Sequence, residues 1–205
     1  MDASAPLRIG TRGSVLALTQ TRHVAGLIRA AGVDTEIVTI TTRGDVDQQG
    51  AVATLGGDGV FVRELERALL EGRIDAAVHS LKDLPTAMTA GLEIACVPER
   101  ALPFDVLVGR TAATLAGLPP GAVVGTSSIR RVVQVRSVRP DLTIRPLRGN
   151  VDTRLRRLDE GAYDALVVAG AGLERLGLSA RATEVLRPDA FWPAVSQGAL
   201  AVQIR

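Results

Sequence analysis

Residues 7–41, LRIGTRGSVLALTQTRHVAGLIRAAGVDTEIVTIT, read as a strand, a helix and a second strand. Leu7-Arg8-Ile9-Gly10-Thr11 has the length of a short buried strand and runs into the polar turn Arg12-Gly13-Ser14. Over residues 14–31, Leu16, Leu18, Val24, Leu27 and Ile28 recur at roughly helical spacing, and residues 36–41, EIVTIT, are β-branched. A β-α-β opening predicts an open α/β sheet, and ligands of such sheets gather beyond the carboxyl ends of the strands.

Further along, residues 42–59 are polar and glycine-rich and too long for an ordinary connector, so a mobile, lid-like loop is expected. A helix over 61–71 carries Val62, Leu65, Leu69 and Leu70 on one side, with Gly72 as its stop. Residues 75–80 form a strand, and Ser80-Leu81-Lys82-Asp83-Leu84-Pro85 begins where it ends. A strand at 92–96 precedes a segment with Pro98 and Pro103, read as a hinge. A second unit follows, with strands at 106–108, 122–125, 143–145 and 165–169, helices at 129–138 and 151–160, and a turn at Gly170-Ala171-Gly172. Residues 200–205 return as a strand. Two β/α units joined by a proline-bearing crossover predict a bilobal protein with a cleft, and no internal repeat is visible.

Composition narrows the chemistry. The 205 residues hold 24 basic and 22 acidic side chains, a near balance that argues against a dedicated nucleic-acid binder. Only 2% of the residues are aromatic, which disfavours base-stacking platforms. No apolar run reaches membrane-spanning length, the N-terminus lacks a secretory layout, and one cysteine, Cys96, excludes an internal disulfide. A cytoplasmic setting without membrane contact is expected. Two His and one Cys offer no ligand-spaced metal cluster. All but one of the basic residues are Arg, which codon bias explains for the most part; the lone Lys82 marks a candidate site.

Four clusters fall at strand or helix ends. Thr11-Arg12-Gly13-Ser14, Thr126-Ser127-Ser128-Ile129-Arg130-Arg131 and Arg148-Gly149-Asn150-Val151-Asp152-Thr153-Arg154 each place Arg beside small or hydroxylic residues at a helix start. Each alone reads equally well as a capped surface helix. Three together point to a guest with several carboxylates or phosphates, because a guanidinium grips each one bidentately. Gly170-Ala171-Gly172 and Leu55-Gly56-Gly57-Asp58-Gly59 lack the dinucleotide and P-loop signatures, so carboxylates are the better guess. In the fourth cluster, His79 to Pro85, a Ser-His-Asp hydrolase reading has no nucleophile elbow to support it. Asp83 beside Lys82 is either a surface ion pair in a turn or an ionised carboxylate able to stabilise a cation or pass a proton.

The segments LRIGTRGSVLALTQ (7–20), VTITTRGD (38–45), GVFVRELERALLEGRIDAAVHSLKDLP (59–85), VVGTSSIRR (123–131), RPDLTIRPLRGNVDTRL (139–155), AGLERLGL (171–178) and PAVSQGALAVQIR (193–205) occur in family order, and the chain resembles the hydroxymethylbilane synthase, or porphobilinogen deaminase, family. The resemblance implies an α/β fold of two periplasmic-binding-protein-like (type II) domains with mixed β-sheets and an interdomain cleft. Domain 1 is expected over 1–99 plus 196–205 and domain 2 over 100–195. It implies deamination and head-to-tail condensation of four porphobilinogen units, in tetrapyrrole (haem) biosynthesis, on a dipyrromethane primer. By position, Asp83 resembles the catalytic aspartate; Arg12, Ser14, Lys82, Thr126, Ser127, Ser128, Arg130, Arg131, Arg148, Asn150 and Arg154 resemble the groups holding substrate and primer carboxylates, with Arg175 and Gln197 as further cleft residues. Thr54, Asp58 and Phe61 fall in the family's lid, where Thr54 and Asp58 replace lysines; Phe104 and Gln203 also replace charged residues.

The family attaches its primer to a cysteine of a third, C-terminal domain, and Cys96 does not match that position. Three expectations follow: a shortened synthase, expected to be a monomer or completed by a separate third-domain chain; a non-catalytic two-lobed polycarboxylate binder or regulatory paralogue; and a divergent enzyme that needs no tethered primer.

Overall fold

The computed structural model describes residues 5–40 and 62–205 and divides the chain into two units, one of residues 1–100 with 199–205 and one of residues 101–198. Unit 1 contains β1 (Leu7–Thr11), α1 (Val15–Ala30), β2 (Thr35–Thr39), α2 (Arg63–Leu70), β3 (Ala76–Ser80), β4 (Glu93–Cys96) and the returning β10 (Leu200–Ile204). Its sheet runs β2-β1-β3-β10-β4, with β1 parallel to β2 and β3, and β10 antiparallel to β3 and β4.

Unit 2 contains β5 (Asp105–Gly109), β6 (Val123–Gly125), α3 (Ile129–Val138), β7 (Thr143–Arg145), α4 (Val151–Asp159), β8 (Ala165–Ala169), α5 (Gly170–Arg175) and β9 (Glu184–Leu186). The sheet order is β7-β6-β8-β5-β9, with β6 parallel to β7 and β8 and β5 antiparallel to β8 and β9. Each unit therefore sets three parallel strands beside one antiparallel strand and an edge strand. This correspondence escapes a search for sequence repeats, because it lies in strand order.

Local chemistry explains most element ends. Ser14 caps α1 by accepting the Ala17 N–H at 3.2 Å. Gly72 at φ +68 ends the turn after α2, a conformation that costs other residues about 1 kcal/mol. Leu65 and Leu69 on α2 are fully buried with Ile74 and Leu92, each worth roughly 1.5–3 kcal/mol. Gly10 in β1 leaves room for Ile74, since a Cβ there would collide with the Ile74 side chain. Gly125 in β6 admits Leu166 and Tyr163, which would lie 2.6 and 2.8 Å from an added Cβ.

Several expectations are corrected. Leu27 and Leu70 are exposed, and α1 instead buries Gln20, Thr21, Val24 and Ala25. The two polar residues bury without penalty because Gln20 donates to Ser80 Oγ (3.1 Å) and Thr21 to Ala17 O (3.0 Å). Gly170-Ala171-Gly172 is the first half of α5, where Gly170 tolerates the close approach of Leu102 and the Phe104 carbonyl. Residues 196–198 belong to unit 2, because Gln197 donates to Pro103 O (2.8 Å) and Asp105 (2.9 Å). The expected lid positions Thr54, Asp58 and Phe61 lie outside the described residues. Among the described residues no helix is long and apolar enough to cross a membrane.

Candidate anion-binding and catalytic residues

In unit 1 the parallel register of β1 on β3, with Ile9 beside Ala76, opens both carboxyl ends on one sheet edge. Arg12 and Ser14 follow β1, while Lys82 and Asp83 follow β3 in the 3-10 turn Leu81–Asp83. That turn is pinned by Leu81 N–H on Ala199 O (3.0 Å), Leu84 N–H on Leu81 O (3.2 Å) and the Gln20–Ser80 bond. Asp83 keeps solvent-accessible surface, yet crowding by protein pushes its carboxyl above the ordinary range, against the pull of Lys82 and Arg12. The sequence reading, an Asp held ionised by its neighbours, captures only the opposing part. Ser14 spends its hydroxyl as the α1 cap.

His79 turns away from this edge. It is buried in unit 1, where desolvation lowers it to about 4 against the raising influence of Gln203 and Glu66. A Ser-His-Asp triad is thus not formed.

In unit 2, β6, β7 and β8 deliver the remaining candidates. Thr126 is buried and its Oγ1 accepts the Ser128 N–H at 3.3 Å. Ser127 both donates to and accepts from the Leu147 backbone at 2.9 Å, tying the β6 end to the β7 end. Ser128 and Asn150 are the N-cap residues of α3 and α4, and neither side chain bonds its own helix. Arg148 is exposed next to Gly149, whose φ is +101. Arg154 donates Nε to Gly149 O at 2.7 Å; burial first, and Arg131 second, disfavour its charge. Arg175 is half-buried and donates to Gly198 O at 2.5 Å.

Arg130 and Arg131 hold a residue the sequence reading missed. Asp105, the first residue of β5, is fully buried and accepts from Arg130 Nη1 (2.7 Å), Arg131 Nε (3.1 Å) and Nη2 (2.7 Å), and Gln197 Nε2 (2.9 Å). Burial alone would raise this carboxyl, but Arg131 and the bonds from Arg131, Arg130 and Gln197 outweigh it and hold it below the ordinary range. Gln197 is buried and braces Asp105 against the Pro103 carbonyl. A charged residue opening an otherwise apolar strand, in a chain this rich in Arg, was the available signal.

Two guanidiniums, those of Arg130 and Arg131, thus meet the single carboxylate of Asp105, while Arg154, bonded to the Gly149 carbonyl, adds a third positive charge near enough to Arg131 to feel it. Arginine does not shed its proton in proteins, so the cluster keeps an excess of positive charge. No group of three or more His, Cys, Asp or Glu among the described residues could hold a metal. Cys96 is an exposed free thiol on β4.

The fold is similar to that of type II periplasmic-binding proteins. It is similar to the methionine-binding protein MetQ (TM-score 0.58, 14% identity, covering 97% of this chain and 82% of that one). It is similar also to a periplasmic substrate-binding protein of an ABC transporter from Coxiella burnetii (TM-score 0.57, 17% identity, 97% and 84%). Identities this low establish the fold alone. A family model described as "Porphobilinogen deaminase, dipyromethane cofactor binding domain" matches residues 7–205, and the chain belongs to the porphobilinogen deaminase family. Porphobilinogen deaminase of Bordetella parapertussis is 52% identical over 206 residues, covering 100% of this chain and 66% of the relative. Those of Nitratidesulfovibrio vulgaris and Sorangium cellulosum are 52% identical over 201 residues, covering 97% of this chain and 63% and 67% of their own lengths. The chain spans about two thirds of these relatives.

Proposed function

We propose that this chain binds polycarboxylate pyrroles and deaminates porphobilinogen in tetrapyrrole biosynthesis. The observation that carries the reading is the charge imbalance in unit 2, where Arg130 and Arg131 share the one buried carboxylate of Asp105 and Arg154 adds a further positive charge beside Arg131. Acetate and propionate side chains supply the missing negative charge, and Arg donates to each through a planar fork. The uncapped starts of α3 and α4 add backbone N–H donors beside the same arginines.

Porphobilinogen loses its amino group when the C–N bond of the aminomethyl arm, protonated as an ammonium, breaks. Ammonia carries off the bonding pair and the pyrrole-methylene keeps a positive charge. A nucleophilic pyrrole α-carbon then forms the new C–C bond and releases its proton. Asp83 is the group suited to face that cation. Its carboxyl keeps accessible surface from which a guest can approach, and a fixed anion beside a developing positive charge stabilises that charge. Lys82 and Arg12 favour the ionised form and remain to steer carboxylates.

The dipyrromethane of the family fits the same donor set, since it too is a polycarboxylate. Arg130, Arg131, Arg154 and the α3 and α4 starts would hold it, and when bound it supplies the nucleophilic carbon. Cys96 has no part in this proposal.

Ammonia release from porphobilinogen tests the assignment, run beside a binding titration of the same preparations. Asp83→Asn is expected to bind porphobilinogen about as well as wild type and to release ammonia at least about 100-fold more slowly. A wild-type rate in the variant would remove Asp83 from its role.

A further inference from the structure

Asp105 is more than a buried counter-ion. Its Oδ2 takes one donor of Arg130, whose same Nη1 also donates to the Trp192 carbonyl. Its Oδ1 takes two donors of Arg131 and one of Gln197. Arg131 Nη1 is spent on Val167 O at 3.3 Å. The bonds to Asp105 and Trp192 consume only the Nη1 corner of Arg130, and among the described residues its Nε and Nη2 have no partner. Those remaining donors form the edge of the guanidinium that engages a carboxylate bidentately. The Arg130 side chain retains 26% exposure while Arg131 retains 8%.

We propose that Asp105 is a positioning residue that clamps Arg130 by one corner, so that its Nε/Nη2 edge faces outward for a carboxylate of the guest, with Arg131 fixed behind it. Gln197 braces the clamp by donating to both Asp105 and Pro103 O. The inference rests on the polycarboxylate reading above and adds which edge of which arginine reads the ligand, and what holds it there.

Charge and position pull in opposite directions, which makes the role testable. By Coulomb's law alone, Asp105→Asn makes the cluster more positive and tightens anion binding. A clamp predicts the reverse, because an unheld arginine pays side-chain entropy for each carboxylate it grips. Titration calorimetry with porphobilinogen is the measurement, on wild type, Asp105→Asn, Arg130→Lys and the double variant. Asp105→Asn is expected to raise the Kd by about tenfold, and Arg130→Lys to cost little more once Asp105 is gone. Equal or tighter binding by folded Asp105→Asn overturns the clamp while leaving the polycarboxylate reading intact. Absence of wild-type binding overturns that reading itself, and the clamp with it. Should Asp105→Asn fail to fold, Gln197→Leu leaves every charge in place and is expected to weaken binding about threefold; unchanged affinity in that variant overturns the clamp.

Discussion

Asp83 and Asp105 carry the same carboxyl in opposite electrostatic settings. Asp105 sits between two guanidiniums that outweigh its burial, whereas Asp83 has Lys82 and Arg12 nearby without a bond strong enough to offset crowding. An activity that needs ionised Asp83 therefore falls as pH drops through a value above that of an ordinary aspartate. Removing Lys82, the larger of the two opposing charges, disfavours the carboxylate further. The acid limb of the pH–rate profile for Lys82→Gln is thus expected to move to higher pH, and a limb that stays put or moves down would contradict the assignment. Lys82 and Asp83 stand out in the sequence because one is the sole lysine and both follow a strand. Asp105 does not, because its partners lie 25, 26 and 92 positions away and only tertiary packing brings them together.

At the scale of elements, the pairing of β10 on β3 builds a second polar interior. Gln203 of β10 donates to Glu66 of α2 at 3.0 Å, Thr89 donates to the same carboxylate at 2.8 Å, and His79 of β3 lies on the same face. His79 Nε2 and Gln203 Oε1 are buried without a hydrogen-bond partner. With His79 lowered from 6.5 to about 4, the folded chain binds fewer protons there than the unfolded one. Its contribution is present above pH 6.5 and is lost as pH falls toward 4 and through it, up to roughly 3 kcal/mol. Urea unfolding at pH 7 and pH 4.5 measures this: His79→Leu should flatten the acid loss, and an unchanged loss would place its origin elsewhere. Helix and strand positions were largely legible from apolar spacing, and Ser14 marked the start of α1. The register of burial was not, because Gln20, Thr21 and Glu66 bury through specific partners while Leu27 and Leu70 stay outside. The three-residue β9 is followed by no helix, whereas the equally short β6 and β7 lead into α3 and α4, whose apolar spacing marks their ends.

Across the whole molecule, β1-α1-β2-α2-β3 in one unit corresponds to β6-α3-β7-α4-β8 in the other, each completed by an antiparallel strand. The correspondence explains why the arginine-bearing turns recur: Thr11 to Ser14 follows β1 as Thr126 to Arg131 follows β6, and both turns open a helix at a parallel strand's carboxyl end. The fold class and these turns could be read from residues alone, because strand ends and helix starts are local. The compensation of charge could not, and it is what separates Arg154, bonded among the described residues to a carbonyl, from Arg131, held by Asp105. The central claim is that carboxylates are what this chain recognises. Its most direct test is calorimetric titration of the wild-type chain with porphobilinogen and with its dimethyl ester, which keeps the ring and the aminomethyl arm but removes both negative charges. The account predicts binding of the diacid and at least about 100-fold weaker binding of the ester, the loss of two charge-assisted contacts. Equal affinity for the two would contradict it.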